Sequence, residues 1–149
     1  MKDTVVVDLD GTLANIDHRL HFVKREKPDW DGFYEACVND TPNEWCVHLI
    51  RAMAASGFRV LVISARSKVV EEQSHKWIYT YVGERPYRPL ILLREERDYT
   101  PDDELKIKWL NSYGKERILF VVDDRQRVVD MWRKEGLVCL QCYSWPEWK

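Results

Sequence analysis

At 149 residues, with a formal net charge of −2 and a pI of about 6.1, the chain is long enough for one domain with a full core. That charge balance argues against stable binding to long duplex DNA, which takes a more basic surface. Charge appears early, at Lys2, Asp3, Asp8 and Asp10, so no signal peptide and no membrane span is read, and a cytoplasmic protein is expected, with its four cysteines as free thiols.

The first element is Thr4-Val5-Val6-Val7, which feeds directly into Asp8-Leu9-Asp10-Gly11-Thr12. Three β-branched valines in an unbroken apolar run predict a parallel strand buried on both faces. Ligands of open α/β sheets bind beyond the C-terminal ends of strands, and that end falls at Asp8. Asp8 and Asp10 are two apart, so an extended backbone points both carboxylates to one side. Gly11 gives the chain freedom to leave the strand. Two carboxylates held together repel, and a divalent cation relieves the repulsion. Mg²⁺ suits them, as a hard ion that takes one or two carboxylates together with substrate phosphate oxygens. The bland alternative is a strand that ends in an Asp-rich turn.

Residues 14–40 break the rhythm. They carry His18, Arg19, His21, Lys24, Arg25 and Lys27, interleaved with Phe22, Trp30, Phe33 and Tyr34. The segment is too long and too aromatic for a plain connection. It reads as a small, largely helical cap over the Asp8 end of the sheet, or as a helical excursion that packs its aromatics into the core.

Thr41-Pro42-Asn43-Glu44 then has the form of a capping box with Pro at the first helical position. Trp45, Leu49, Ile50 and Met53 follow at helical spacing, and Gly57 marks the end. Phe58–Ile63 predicts a second strand, ending in Ser64-Ala65-Arg66. A hydroxyl, backbone N–H groups and a guanidinium there suit phosphate oxygens, although a helix cap at Ser64 has the same spelling. A helix from about Val69 to Val82, a strand over Leu90–Leu93 and a helix capped by Thr100 come next. The last of these has Leu105 and Trp109 on one face, and Asp102, Asp103 and Lys106 in its first turns. The strand Ile118–Val122 ends in Asp123-Asp124-Arg125. A helix over Gln126–Glu135 stops at Gly136, and Leu137–Cys142 predicts the final strand. Cys139 and Cys142 form a Cys-x-x-Cys, but positions three apart on a strand point to opposite faces, so no metal or redox pair is read. Strand and helix alternate throughout, which predicts an α/β fold with a doubly wound parallel sheet.

Taken together, Asp8-x-Asp10-Gly11-Thr12, Ser64-x-Arg66, Lys106 and Asp123-Asp124 form an ordered pattern. It resembles the four motifs of the haloacid dehalogenase (HAD) superfamily of aspartate-based phosphatases, across about residues 4–143. The runs 122–133 and 102–106 also resemble the 3′-phosphatase domain of bacteriophage polynucleotide kinase–phosphatases. Three departures stand out: no Gly-x-x-x-x-Gly-Lys-[Ser/Thr] loop of a kinase module, a longer 14–40 segment, and Ala65 where glycine is common. The resemblance implies a three-layer Rossmann-like sheet of five strands in the order 5-4-1-2-3. It implies one domain over 1–149, with 14–40 as its cap.

The resemblance also implies roles. Asp8 is the expected nucleophile and Asp10 the general acid and base. Mg²⁺ is expected among Asp8, the Asp10 backbone carbonyl and the pair Asp123 and Asp124. Ser64 and Lys106 are expected to hold phosphate oxygens, with Lys108 the rival lysine. Thr12, Arg66, Arg125, Arg19 and Lys24 are candidate substrate contacts, and Asp102 is placed to orient Lys106. The implied substrate is a 3′-phosphate on a nucleotide or a nucleic-acid end. A 5′-nucleotide or another small phosphomonoester is the alternative within the same chemistry, and a non-catalytic phosphate-binding relative the alternative outside it.

Overall fold

The computed structural model describes residues 1–146; the expected outer limit of the domain, at 149, lies outside them. Five strands form one parallel sheet: β1 (Thr4–Val7), β2 (Arg59–Ser67), β3 (Leu90–Arg94), β4 (Ile118–Asp123) and β5 (Cys139–Gln141). Their spatial order is β3-β2-β1-β4-β5, which read from the other edge is 5-4-1-2-3. The helices are α1 (Trp30–Glu35), α2 (Glu44–Ala55), α3 (Glu71–Tyr81), α4 (Asp102–Tyr113) and α5 (Gln126–Lys134).

The side-chain alternation of β1 builds two cores. Val5 and Val7 join Val60, Val62, Ile50, Trp77 and Ile78 on one face, with α2 and α3. Val6 joins Leu61, Ile63, Leu110, Val128 and Trp132 on the other, with α4 and α5. A strand that must fill both cores has no polar position to spare, which is why its sequence is a solid apolar run. Val7 is in register with Val62 and Val122. The residues that follow each of these strand positions therefore emerge side by side at one edge of the sheet, and Asp8 keeps the ladder with an N–H to the Val122 carbonyl at 3.0 Å.

Residues 14–40 are largely helical. Short 3₁₀ turns span Asp17–Phe22 and Ala36–Asn39 on either side of α1. Ile16, Leu20 and Phe33 form a small core of their own, and the segment also sends Arg19 to Asp10.

Several expected boundaries move, each for a local reason. β2 runs past Ile63 to Ser67, with its register to β3 shifting between them, so Ser64-Ala65-Arg66 lies in the irregular end of a strand. Ser67 rather than Ser64 caps the next turn, accepting from the Val69 N–H. Helix α2 begins at Glu44, because Thr41–Pro42 pairs antiparallel with Ala14–Asn15 instead of capping. That two-strand ribbon closes the base of the insert. Asn43 donates from its side chain to the Thr12 carbonyl at 2.8 Å. Thr100 turns its hydroxyl to Asp98 at 2.6 Å, leaving Pro101 at the start of α4. Among the described residues no helix is long and apolar enough to cross a membrane.

Candidate active site

The loop after β1 is wound tightly. Leu13 and Ala14 donate their N–H groups back to Asp8 and Leu9, and Gly11 sits at φ 84°. A Cβ on Gly11 would come within 2.2 Å of an Asp124 carboxylate oxygen, so only glycine passes here. The turn brings Asp8 beside the end of β4. Asp8, Asp123 and Asp124 are all buried, and each offers a carboxylate oxygen within 4.8 Å of the others.

Lys106 comes to this cluster from α4. Its Nζ donates to Asp8 Oδ1 at 2.9 Å and to Asp123 Oδ2 at 3.0 Å. Lys108 is exposed, so the lysine at the cluster is Lys106. Burial works against the Lys106 charge, but Asp123 and Asp8 outweigh it and hold the ammonium above its ordinary value. Burial pushes the Asp8 carboxyl well above the usual carboxylate range, opposed by Lys106 and reinforced by Asp123 and Asp124. Three carboxylates face one ammonium, an imbalance that a divalent cation corrects. The donors are all hard oxygens, which fits Mg²⁺ and not zinc.

Asp10 stands apart from that cluster. Arg19 Nη2 donates to its Oδ1 at 2.7 Å, and Arg66 Nη2 donates to the same oxygen. Both guanidinium groups also reach Asp40, Arg19 at 2.8 and 2.7 Å and Arg66 at 3.2 Å. Arg66 gains a third anchor on Ser74 at 3.0 Å, and His18 joins Asp40 at 2.6 Å. Burial opposes the Asp10 charge, but Arg66 and Arg19 outweigh it and hold the carboxyl well below the usual range. The result is a buried alternation of two carboxylates and two guanidinium groups.

Asp8, Asp10, Ser64, Lys106 and Asp123 open on one cavity of about 890 Å³, whose walls also include Trp30, Tyr34 and Tyr99. That is far more room than a phosphate group needs, and is in the size class of nucleotide-sized ligands. Ser64 Oγ accepts the Arg66 N–H at 3.1 Å, leaving its own hydrogen to donate.

Several residues expected to meet substrate face the protein instead. Arg19 and Arg66 are buried and committed to Asp10 and Asp40. Thr12 is buried and donates to Asp124 Oδ1 at 3.1 Å. Arg125 lines the cavity but is paired there with Asp102, which also takes Arg94 at 2.8 Å; Asp102 bonds these arginines and supports the Lys106 charge only through space. The Asp10 side chain is directed at Arg19 and Arg66, and the Asp8, Asp123 and Asp124 carboxylates make up the candidate cation cluster. Lys24 is exposed beside the cavity-lining Val23.

Sequence reasoning missed Asp40, Arg94, Trp132 and Trp145. Trp132 donates its indole N–H to Asp123 at 3.1 Å, and Trp145 donates to Asp124. Nothing in the local pattern marks Asp40 as buried; a carboxylate between Asn39 and Thr41 reads as surface. The four cysteines are free, and burial raises the thiols of Cys139 and Cys142 to about 12 and about 11.

Comparison with known proteins places this geometry. The family model of the polynucleotide kinase PNKP phosphatase domain matches residues 2–144. A protein of Autographa californica nuclear polyhedrosis virus, named as a bifunctional polynucleotide kinase/RNA ligase, is 30% identical over 132 residues, covering 87% of this chain and 17% of its own length. A solved chain of a Pnkp1/Rnl/Hen1 complex superposes with a TM-score of 0.78 at 27% identity, covering 97% of this chain and 47% of that one. A HAD-family enzyme from Bacteroides thetaiotaomicron, solved as a magnesium complex, shares the fold with a TM-score of 0.62 at 11% identity, covering 99% and 96%. This chain thus spans less than half the length of the first two relatives.

Proposed function

The chain belongs to the PNKP phosphatase-domain family and is a HAD phosphatase, and from that premise we propose that it removes the 3′-phosphate from nucleic-acid ends or nucleotides in a Mg²⁺-dependent reaction through an aspartyl-phosphate on Asp8. The observation that carries the reading is Lys106 Nζ, bonded to both Asp8 and Asp123 in the cavity that Asp10 also lines. The name of the matching family, together with the kinase and ligase names of the longer relatives, supports the 3′ end as substrate.

In this reading Asp8 attacks phosphorus in line as the bond to the 3′ oxygen breaks, and Asp10, which must first take up a proton against the pull of Arg66 and Arg19, gives that oxygen its proton. Water then attacks the aspartyl-phosphate, Asp10 takes the proton of the water, and phosphate leaves with Asp8 restored. Lys106 and Ser64 donate to phosphate oxygens as charge builds on them. Mg²⁺, held by Asp8, Asp123 and Asp124, supplies charge neutralisation when bound. Arg19 and Arg66 fix the orientation of Asp10 from behind. Residues 1–146 act as one unit, with 14–40 as the cap that selects substrate.

A substrate panel tests the proposal. It compares a 3′-phosphorylated oligonucleotide, 3′- and 5′-mononucleotides and an aryl phosphate, each with Mg²⁺ and with EDTA. The expected order of kcat/KM puts the 3′-phosphates first, with no turnover in EDTA. A preference for 5′-nucleotides overturns the substrate; full turnover in EDTA overturns the metal.

A further inference from the structure

The segment after β5 lays Trp145 on the acidic pair. Its indole Nε1–H donates to Asp124 Oδ2, while the Thr12 hydroxyl donates to Asp124 Oδ1 at 3.1 Å. Each oxygen of that carboxylate therefore has a donor. A Cβ on Gly11 would sit 2.2 Å from Asp124 Oδ2 and 3.2 Å from Trp145 Cζ2, so both side chains rest against the bare Cα of the loop that carries Asp8 and Asp10. The same indole packs on the cap core of Ile16, Leu20 and Phe33, and its ring stands 4.7 Å from that of Tyr143. Trp145 lies one residue beyond the stretch that the family model matches.

We infer that Trp145 is a positioning residue that holds the Asp124 carboxylate in the orientation from which it binds a divalent cation. This rests on the reading of Asp8, Asp123 and Asp124 as the cation's ligands. Three carboxylate oxygens within 4.8 Å of one another repel when no cation is bound; Lys106 bonds Asp8 and Asp123 directly, and Asp124 is the carboxylate that would turn away. An indole N–H resists that turn. It donates only and carries no charge, so it orients the anion without neutralising it, whereas an arginine or lysine in its place would compete with the cation. Partners that orient metal ligands are commonly worth about tenfold or more in affinity. Packing on the cap extends the relationship: the position of the cap and the readiness of the metal site are joined through one ring.

The test is Mn²⁺ binding to the full chain without substrate, read from the EPR signal of free Mn²⁺, for the native chain, W145F, W145A and D124N. W145F keeps the ring and removes the donor. The expected result is Mn²⁺ affinity about tenfold weaker in W145F, with a thermal midpoint in EDTA within about 2 °C of the native chain. W145A should be weakened at least as much. Native affinity in W145F overturns the inference. So does a W145F loss matched by a large fall in the EDTA midpoint, since Trp145 would then be a prop of the fold. If W145F does not fold, the Trp145 indole N–H resonance of the native chain is followed during Mg²⁺ titration: a shift that saturates with the metal supports the inference, and an unmoved resonance overturns it. Native binding in D124N sinks the metal-site reading itself, whereas weakened D124N beside unchanged W145F sinks only the role of Trp145.

Discussion

Lys106 Nζ lies 2.9 Å from Asp8 Oδ1, across 98 positions of sequence. Neither residue is accounted for alone. A buried carboxylate needs a counter-charge, and a buried ammonium needs an anion. Lys106→Met should abolish turnover and destabilise the protein by about 3–5 kcal/mol, because it strands buried carboxylates. Lys108→Ala should stay within about 0.5 kcal/mol of the native chain. Urea titration and a phosphatase assay on both variants check this, and an active Lys106→Met assigns the role elsewhere.

Asp8→Asn should lower turnover by at least about a thousandfold, since the amide is no nucleophile. Its thermal midpoint in EDTA should not fall. Burial and the Asp123 and Asp124 carboxylates oppose the Asp8 charge more than Lys106 supports it, so a neutral amide there relieves more repulsion than it loses attraction. A native rate from clean Asp8→Asn would falsify the assignment of the nucleophile.

Divalent cations should stabilise the chain. At about one hundred times its Kd, Mg²⁺ adds about 2.7 kcal/mol, which for a chain of this size raises Tm by about 5–10 °C. EDTA should reverse the shift. Ca²⁺ should raise Tm as well but support little turnover, because its larger and looser coordination misplaces the attacking carboxylate. A Tm that is indifferent to Mg²⁺ argues against the cluster as a cation site.

Asp10→Asn should cost less on an aryl phosphate than on a nucleotide, because a good leaving group needs little protonation. The same substitution should flatten the acid limb of the stability curve. Arg66 and Arg19 depress the Asp10 carboxyl below its ordinary 3.8. Its contribution to stability is therefore fully present above that value and is lost as pH falls through the lower folded one. Acid unfolding of both proteins, followed by circular dichroism, makes the comparison.

The cap separates two kinds of residue. Arg19→Ala should harm every substrate alike and cost about 3–5 kcal/mol, since it leaves Asp10 and Asp40 short of a partner. Trp30→Ala should leave stability close to native and raise KM for nucleotides at least about fivefold, the lower range for one lost base stack. Hydrolysis of an aryl phosphate should hardly change. Equal effects of Trp30→Ala on both substrates would make the cap a purely structural excursion.

The strands and the carboxylates at their ends were legible because each is written locally; their order, and so the meeting of Asp8 with Asp123 and Asp124, came from the family resemblance alone. An apolar run that ends in Asp states both the element and the end at which it binds. What failed was the direction of the arginines. Arg19 and Arg66 read as open cations because their sequence neighbours give no sign of Asp40, which reaches them only through folding. Helix α2 was misjudged at its start for the same reason, since the pairing of Thr41–Pro42 with Ala14–Asn15 lies outside any local window. Trp145 carried no signal at all: one aromatic after a short strand looks like any other.

The alternation of Asp10, Arg19, Asp40 and Arg66 has a kinetic meaning. Arg19 and Asp40 belong to the cap, while Asp10 and Arg66 belong to the sheet. Trp77 of α3 adds a rivet, donating its indole N–H to the Asp40 carbonyl at 2.8 Å. Swinging the cap away would separate opposite charges out of solvent on both sides of the hinge, at a cost of several kcal/mol. Opening residues 14–40 as a lid therefore carries that cost. The hydrogen-bonded amides at its buried core, such as those of Arg19 and Phe33, should then exchange with solvent deuterium slowly, as a standing mouth rather than a closing door requires.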